Sequence, residues 1–120
     1  MGKPEGKIEN YLIQQTKKFG YMQRKTASPS NAGFPDRLVI GNGYTVFVEL
    51  KAITGHPSEL QKVAIREMRK HGAIVYIIDT KEDCLKLLEH MRDKTLSQFT
   101  PTCRHNSLTD KPAPKSPHSQ

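Results

Sequence analysis

The stretch GFPDRLVIGNGYTVFVELK, which runs from Gly33 to Lys51, decides the fold. Its two apolar runs flank a Gly-Asn-Gly turn at residues 41–43, a turn typical of two antiparallel strands. The two-residue period of a strand puts Glu49 and Lys51 on the same face. Asp36 begins the first strand, so the turn returns the chain beside it. The stretch therefore predicts a hairpin that gathers two carboxylates and one ammonium group at one end.

These charged groups indicate chemistry on a phosphate. Two neighbouring carboxylates repel each other, and a divalent cation with oxygen ligands relieves the repulsion. Asp36 and Glu49 are therefore candidate metal ligands, and Lys51 is left to meet an anion such as phosphate.

The order of these residues resembles a nuclease signature. Pro35-Asp36, a spacer and Glu49-Leu50-Lys51 resemble the PD-(D/E)XK pattern. The longer blocks 33–37 and 47–51, followed by Gln61, resemble the small stand-alone VRR-NUC domains of phages and bacteria over roughly residues 5 to 90. The resemblance implies an α/β fold with a restriction-endonuclease-like core, in which helices flank a mixed sheet in the order αβββαβα.

The resemblance also implies a mechanism. Asp36, Glu49 and the Leu50 carbonyl would hold Mg²⁺, for which Mn²⁺ could substitute, and a water would attack the phosphate. Lys51 would orient that water or stabilise the charge of the transition state. The expected protein is a Mg²⁺-dependent phosphodiester hydrolase.

Two further candidates come from the helices. Related nucleases place an acidic residue on the first helix beside the metal, and IENYLI matches that position better at Glu9 than at Glu5, the reserve candidate. The alternative interpretation of Glu9 is an ordinary first-turn glutamate favoured by the helix dipole. A glutamine beside the active site in the same family corresponds to Gln61, which also fits a capping box that begins at Ser58.

Composition is consistent with one basic domain. The chain has 120 residues, a formal net charge of +7 and a mean hydropathy of −0.65. The charge favours a polyanionic partner without choosing between DNA, RNA and acidic lipid. Cys84 and Cys103 form no CxxC pair, and no apolar run approaches the roughly 18 residues of a membrane span. We expect a cytoplasmic protein, in the host cytoplasm if phage-encoded, that has no membrane partner.

Periodicity predicts the remaining elements of the nuclease domain, residues 1–92. They are a helix over 5–19, a strand over 21–27, a helix from Ser58 to about 71, a buried central strand over 73–79 and a helix after Thr80. The second helix is expected to turn Leu60, Val63, Ala64 and Met68 inward, and the third to bury Cys84, Leu87, Leu88 and Met91. Residues 93–120 lack periodicity and are rich in proline, serine and threonine, which predicts a disordered basic tail.

Several side chains are candidate contacts to the nucleic-acid backbone: Arg24, Lys25, Ser28, Ser30, Arg37 and Lys62. A solvated edge strand and a polar loop explain the first four equally well. The noncatalytic alternative is a nucleic-acid-binding module, against which the carboxylates count, since binding phosphate needs none. A further alternative is a restriction-like or flap nuclease that uses the same active site. The resemblance favours branched DNA such as four-way junctions, and a two-fold symmetric junction favours a homodimer.

Overall fold

The structure is a computed structural model that describes residues 4–26 and 33–108. Its elements are α1 (Pro4–Phe19), β1 (Met22–Lys25), β2 (Arg37–Gly41), β3 (Tyr44–Leu50), α2 (Glu59–Lys70), β4 (Ile74–Ile78), α3 (Lys81–Asp93) and two 3₁₀ helices, Leu96–Gln98 and Arg104–Ser107. The strands form one mixed sheet, which confirms the α/β class and the αβββαβα order. None of the helices in this part of the chain is both long and apolar enough to span a bilayer.

The predicted hairpin is formed by β2 and β3. The strands pair antiparallel, and Gly41 pairs with Tyr44 across a two-residue turn. Asn42 (φ 50°) and Gly43 (φ 88°) both lie in the left-handed region, as a tight hairpin turn requires. The Asn42 amide donates hydrogen bonds to the Met91 and Arg92 carbonyls at the end of α3. The turn is thereby fixed at one end of the sheet, and the charged residues lie at the other.

The strand β4 lies at the edge of the sheet, so the prediction of a central position is wrong. It pairs parallel with β3, and the strand order is β1-β2-β3-β4. Its apolar run is nevertheless buried because both faces are covered. Ile78 belongs to the core between the sheet, α1 and α3, whereas Val75 and Ile77 pack with Ile65 of α2 on the other face. A strand covered on both faces reads as apolar whether it is central or not.

Side chains occupy the free edge of β4 in place of a fifth strand. The Asn106 amide donates to the Ile77 carbonyl and its oxygen accepts from the Ile77 N–H, each at 2.7 Å. Arg69 donates to the Val75 carbonyl at 2.7 Å and to the Asn106 carbonyl at 2.7 Å. These bonds satisfy edge groups that would otherwise be open to another chain.

The disordered tail predicted from residue 93 onward is wrong as far as Leu108. Residues 95–108, here called the C-terminal segment, bury Leu96, Phe99, Cys103 and Leu108 to 8% exposure or less. Their apolar residues follow no helical or strand period because the segment is built from 3₁₀ turns and extended links. Residues 109–120 of the predicted tail lie outside the described residues.

The helix α2 has its predicted start, and of its predicted inner face Met68 packs against the core whereas Leu60 and Val63 do not. The Ser58 hydroxyl accepts from the Gln61 N–H (3.1 Å) and the Gln61 side-chain oxygen accepts from the Ser58 N–H (2.9 Å), which is a capping box. Leu60 (62% exposed) and Val63 (58% exposed) face outward, contrary to expectation. The buried side is formed by Ile65 together with Lys62, whose ammonium lies 3.1 Å from Glu59. The predicted stripe of α3 is confirmed, with Cys84, Leu87, Leu88 and Met91 all fully buried.

Replacing Asn106 by alanine is expected to destabilise the protein by roughly 2 kcal/mol, because the Ile77 N–H and carbonyl lose their partners at a covered edge. For a domain of this size the melting temperature would fall by roughly 10 °C. Gln98→Ala, which removes an exposed amide from the same segment, serves as the control and should melt within about 2 °C of the parent. Equal melting of the Asn106→Ala variant and the parent in differential scanning calorimetry would contradict the edge-sealing role.

Candidate active site

The two candidate carboxylates lie together at the end of the hairpin opposite its turn. Asp36 directly precedes β2, and Glu49 is the second-last residue of β3. The Asp36 N–H donates to Glu49 Oε1 at 3.2 Å, and the Leu50 N–H lies 3.5 Å from Asp36 Oδ1. The backbone of each strand therefore fixes the carboxylate carried by the other.

Burial makes the negative charge at this point unfavourable. Glu49 is 3% exposed, and its burial, reinforced by the Asp36 carboxylate, raises its pKa to about 7 although Lys51 opposes the shift. Burial also raises the pKa of Asp36, and the Glu9 carboxylate adds to that effect. Hydrogen bonding from Leu50 lowers the Asp36 pKa, but not enough to offset burial. The pair is thus a place where an added cation would stabilise the ionised forms.

Lys51 lies at the rim of the pair. Its ammonium is 3.2 Å from Glu49 Oε2, and 22% of its side chain remains exposed. The Lys51 N–H donates to the Ile78 carbonyl at 3.0 Å, so the backbone of this residue is tied to the end of β4. The ammonium can therefore face both the carboxylate and a molecule arriving from solvent.

Gln61 forms the predicted capping box and also lies against Glu49. While its oxygen completes the capping box of α2, its amide donates to Glu49 Oε2 at 2.7 Å.

The loop before Asp36 packs against the same helix turn. A Cβ at Gly33, where φ is +89°, would lie 2.6 Å from the Leu60 carbonyl oxygen, so only glycine allows this approach.

Arg37 differs from its predicted role as a nucleic-acid contact. It is 7% exposed, its Nη1 donates to Gln23 Oε1 at 2.7 Å, and its Nη2 binds Glu9 Oε2 in a short ion pair. The guanidinium is therefore directed into the protein. A sequence signal for this existed, because the two-residue period puts Arg37 on the same face as the fully buried Val39. Gln23 was not among the predicted residues, and nothing in the sequence around it indicates this contact.

Glu9 is brought to the site, but as the partner of Arg37. The negative charge of Glu9 raises the pKa of Asp36, so the two side chains lie close to each other. Among the residues described, no three His, Cys, Asp or Glu side chains are grouped as a metal site. Glu9 is therefore not grouped with Asp36 and Glu49 as a third side-chain ligand in the described residues, and its place beside the metal stays a prediction. The side chain of Glu5, the reserve candidate, lies outside the described part of the chain.

The donor set at the hairpin end nevertheless fits a hard divalent cation. Both side-chain donors, Asp36 and Glu49, are carboxylates. Burial raises their pKa values, and a bound cation would lower them again. The Leu50 carbonyl follows Glu49 directly along β3 and could add a third oxygen. Oxygen ligands of this kind suit Mg²⁺ or Mn²⁺.

The remaining predicted residues are scattered. Arg24 and Lys25 are exposed on β1, at the free edge of the sheet. Lys62 is 5% exposed and paired with Glu59. Ser28 and Ser30 lie outside the described residues.

The chain is similar to a curated phage protein and to a solved structure. No family model matches the chain. It is 34% identical over 79 residues to "Putative nuclease p44" of Acyrthosiphon pisum secondary endosymbiont phage 1, covering 65% of this chain and 85% of that protein. A solved structure described as "VRR_NUC domain" is similar with a TM-score of 0.66 and 30% identity, covering 74% of this chain and 98% of the other.

Proposed function

Because the chain belongs to the VRR-NUC family of nucleases, we propose that it is a metal-dependent endonuclease that hydrolyses phosphodiester bonds in branched DNA. One observation carries the proposal. Two buried carboxylates, Asp36 and Glu49, meet at the hairpin end beside the partly exposed ammonium of Lys51. This arrangement is costly for a protein that only folds or only binds phosphate, and useful for one that holds a cation against a phosphate.

The residues divide the work of the reaction. Asp36 and Glu49 would hold a divalent cation, Mg²⁺ or Mn²⁺, with the Leu50 carbonyl. A bound cation would supply positive charge beside the phosphate and would make a coordinated water a better nucleophile. Both oxygens of Glu49 are oriented beforehand, one by the Asp36 N–H and the other by Gln61 and Lys51. Such preorganisation lowers the barrier because no rearrangement is needed during the reaction.

Lys51 would stabilise the negative charge that develops on the phosphate in the transition state. Its ammonium is fixed near Glu49 and still reaches solvent, so it can approach the scissile phosphate or the attacking water. A lysine at this point stabilises the additional negative charge of the transition state more than that of the bound substrate, which is the condition for catalysis.

DNA is the proposed substrate because of the family and of the net charge of +7. Arg24 and Lys25 are exposed on the edge strand that also carries Gln23, the partner of Arg37, so a strand of DNA could approach from that side. Such side chains contact phosphates, and phosphate contacts recognise backbone shape more than base sequence. This favours branched DNA over a sequence-specific site.

Cleavage assays on three labelled substrates test the proposal: a duplex, a flap and a four-way junction, each with Mg²⁺, Mn²⁺ or EDTA. We expect metal-dependent cuts that are fastest on the junction and absent in EDTA. Binding of all three without cleavage in either metal would support the noncatalytic alternative. If the flap is cleaved fastest, the proposed nuclease activity stands and the proposed preference for four-way junctions is rejected.

We also propose that the working form is a homodimer. A four-way junction has two-fold symmetry and is cut on two strands, which two sites related by a two-fold axis can reach together. The outer side of α1 and the free edge of β1, where Met22 is 45% exposed, are the surfaces to inspect. Light scattering at micromolar concentration should give the mass of a dimer with and without junction DNA. A monomer in both samples that still makes paired symmetric cuts would rule the dimer out.

A further inference from the structure

The guanidinium of Arg37 is buried next to the carboxylate pair. Arg37 follows Asp36 directly, and its side chain is enclosed between α1 and β1, where it binds Glu9 and Gln23. Its Nε is buried without a hydrogen-bond partner in the part of the chain that the structure describes. A buried cation needs a carboxylate, so Glu9 is retained by strong attraction. The Glu9 side chain is 30% exposed and would otherwise be free to turn.

The charges around this point form a simple balance. Three carboxylates lie in one neighbourhood: Arg37 is paired with Glu9, whereas Asp36 and Glu49 share the ammonium of Lys51. The number of charged ligands sets how tightly a protein holds a divalent cation. Mg²⁺ is usually held by one or two carboxylates and completes its coordination with substrate phosphates and water. A site with three unpaired carboxylates would retain a cation without any substrate.

We propose that Arg37 is a positioning residue that neutralises Glu9, so that an entering metal ion meets two charged carboxylates and is held tightly only together with DNA phosphate. The inference rests on the proposed function and concerns its regulation by substrate. It explains why an arginine is buried beside a metal site whose cation it would repel. It also assigns Glu9 to the outer surroundings of the metal as long as Arg37 is present.

The test measures Mn²⁺ binding to the DNA-free protein by isothermal titration calorimetry. Arg37→Gln frees the Glu9 carboxylate, and we expect Mn²⁺ to bind at least about fivefold more tightly. In the double variant Arg37→Gln/Glu9→Gln both charges of the pair are removed, and the affinity should return to within about twofold of the parent. Arg66→Gln removes an exposed arginine from α2 and should leave the affinity within about twofold. A merely structural role of Arg37 would move the melting temperature but not this pattern.

Two outcomes would overturn the inference while leaving the metal-dependent function intact. One is an Arg37→Gln variant that binds Mn²⁺ no more tightly than the parent. The other is a double variant that binds at least about tenfold more weakly, which would make Glu9 a direct ligand even in the presence of Arg37. The double variant decides the question if the single variant fails to fold, because it leaves no unpaired charge. If neither the parent nor the Arg37→Gln variant binds Mn²⁺, the inference is rejected together with the metal-dependent function, whereas binding with the wrong pattern rejects the inference alone.

Discussion

Replacing Asp36, Glu49 or Lys51 is expected to lower the rate of DNA cleavage at least about 10³-fold, equivalent to about 4 kcal/mol of transition-state stabilisation. The least disruptive variants are Asp36→Asn, Glu49→Gln and Lys51→Met. The two amides keep the shape of the side chain but remove the charge that a cation needs. The lysine variant removes the only ammonium that lies on the Glu49 carboxylate among the residues described. Single-turnover cleavage of the preferred substrate in Mg²⁺ gives the rates.

Matched controls separate the chemistry from charge and folding. Glu67→Gln and Lys70→Met change the same residue types at exposed positions of α2 and should cut within about twofold of the parent. Circular dichroism should show that all variants are folded. Any one of the three site variants that is folded and cuts at close to the parent rate would remove that residue from the proposed mechanism.

The position of Gln61 beside Glu49 was predictable from the sequence. The nuclease motif and the capping box each predict a glutamine at the start of α2, for different reasons. The structure agrees with both, because the side-chain oxygen accepts from Ser58 and the side-chain amide donates to Glu49. The position of Asp36 beside Glu49 was likewise predictable, since a two-residue turn and an alternating strand fix which residues meet. Local rules sufficed where neighbouring elements are joined by short connections.

The sequence was less informative where distant elements meet. The place of β4 at the sheet edge depends on how Asn106 and Arg69 occupy its free groups, and neither residue belongs to a local pattern. The C-terminal segment follows no period, so its burial against the core is a consequence of tertiary packing alone. The pairing of Arg37 with Glu9 also joins residues 28 positions apart.

The same buried charge that we assign to catalysis should destabilise the metal-free protein at alkaline pH. The pKa of Glu49 is raised from 4.5 to about 7 by burial and by Asp36, so the folded state binds this proton more tightly than the unfolded state does. The resulting stabilisation is fully present below pH 4.5 and is lost as the pH rises through 7. The difference between the two pKa values corresponds to roughly 3 kcal/mol. The raised pKa of Asp36 acts in the same direction.

Glu49→Gln isolates this contribution because an amide does not titrate. In EDTA the variant should unfold at about the same urea concentration as the parent at pH 5, and should be more stable by roughly 3 kcal/mol at pH 8. Glu67→Gln, on the exposed side of α2, should show no such difference. Mg²⁺ in place of EDTA should stabilise the parent at pH 8 more than the variant, because a cation favours the ionised carboxylate. If the stability difference between variant and parent is the same at pH 5 and pH 8, Glu49 is not held in an unfavourable ionised state, and the electrostatic argument for a cation at this site is lost.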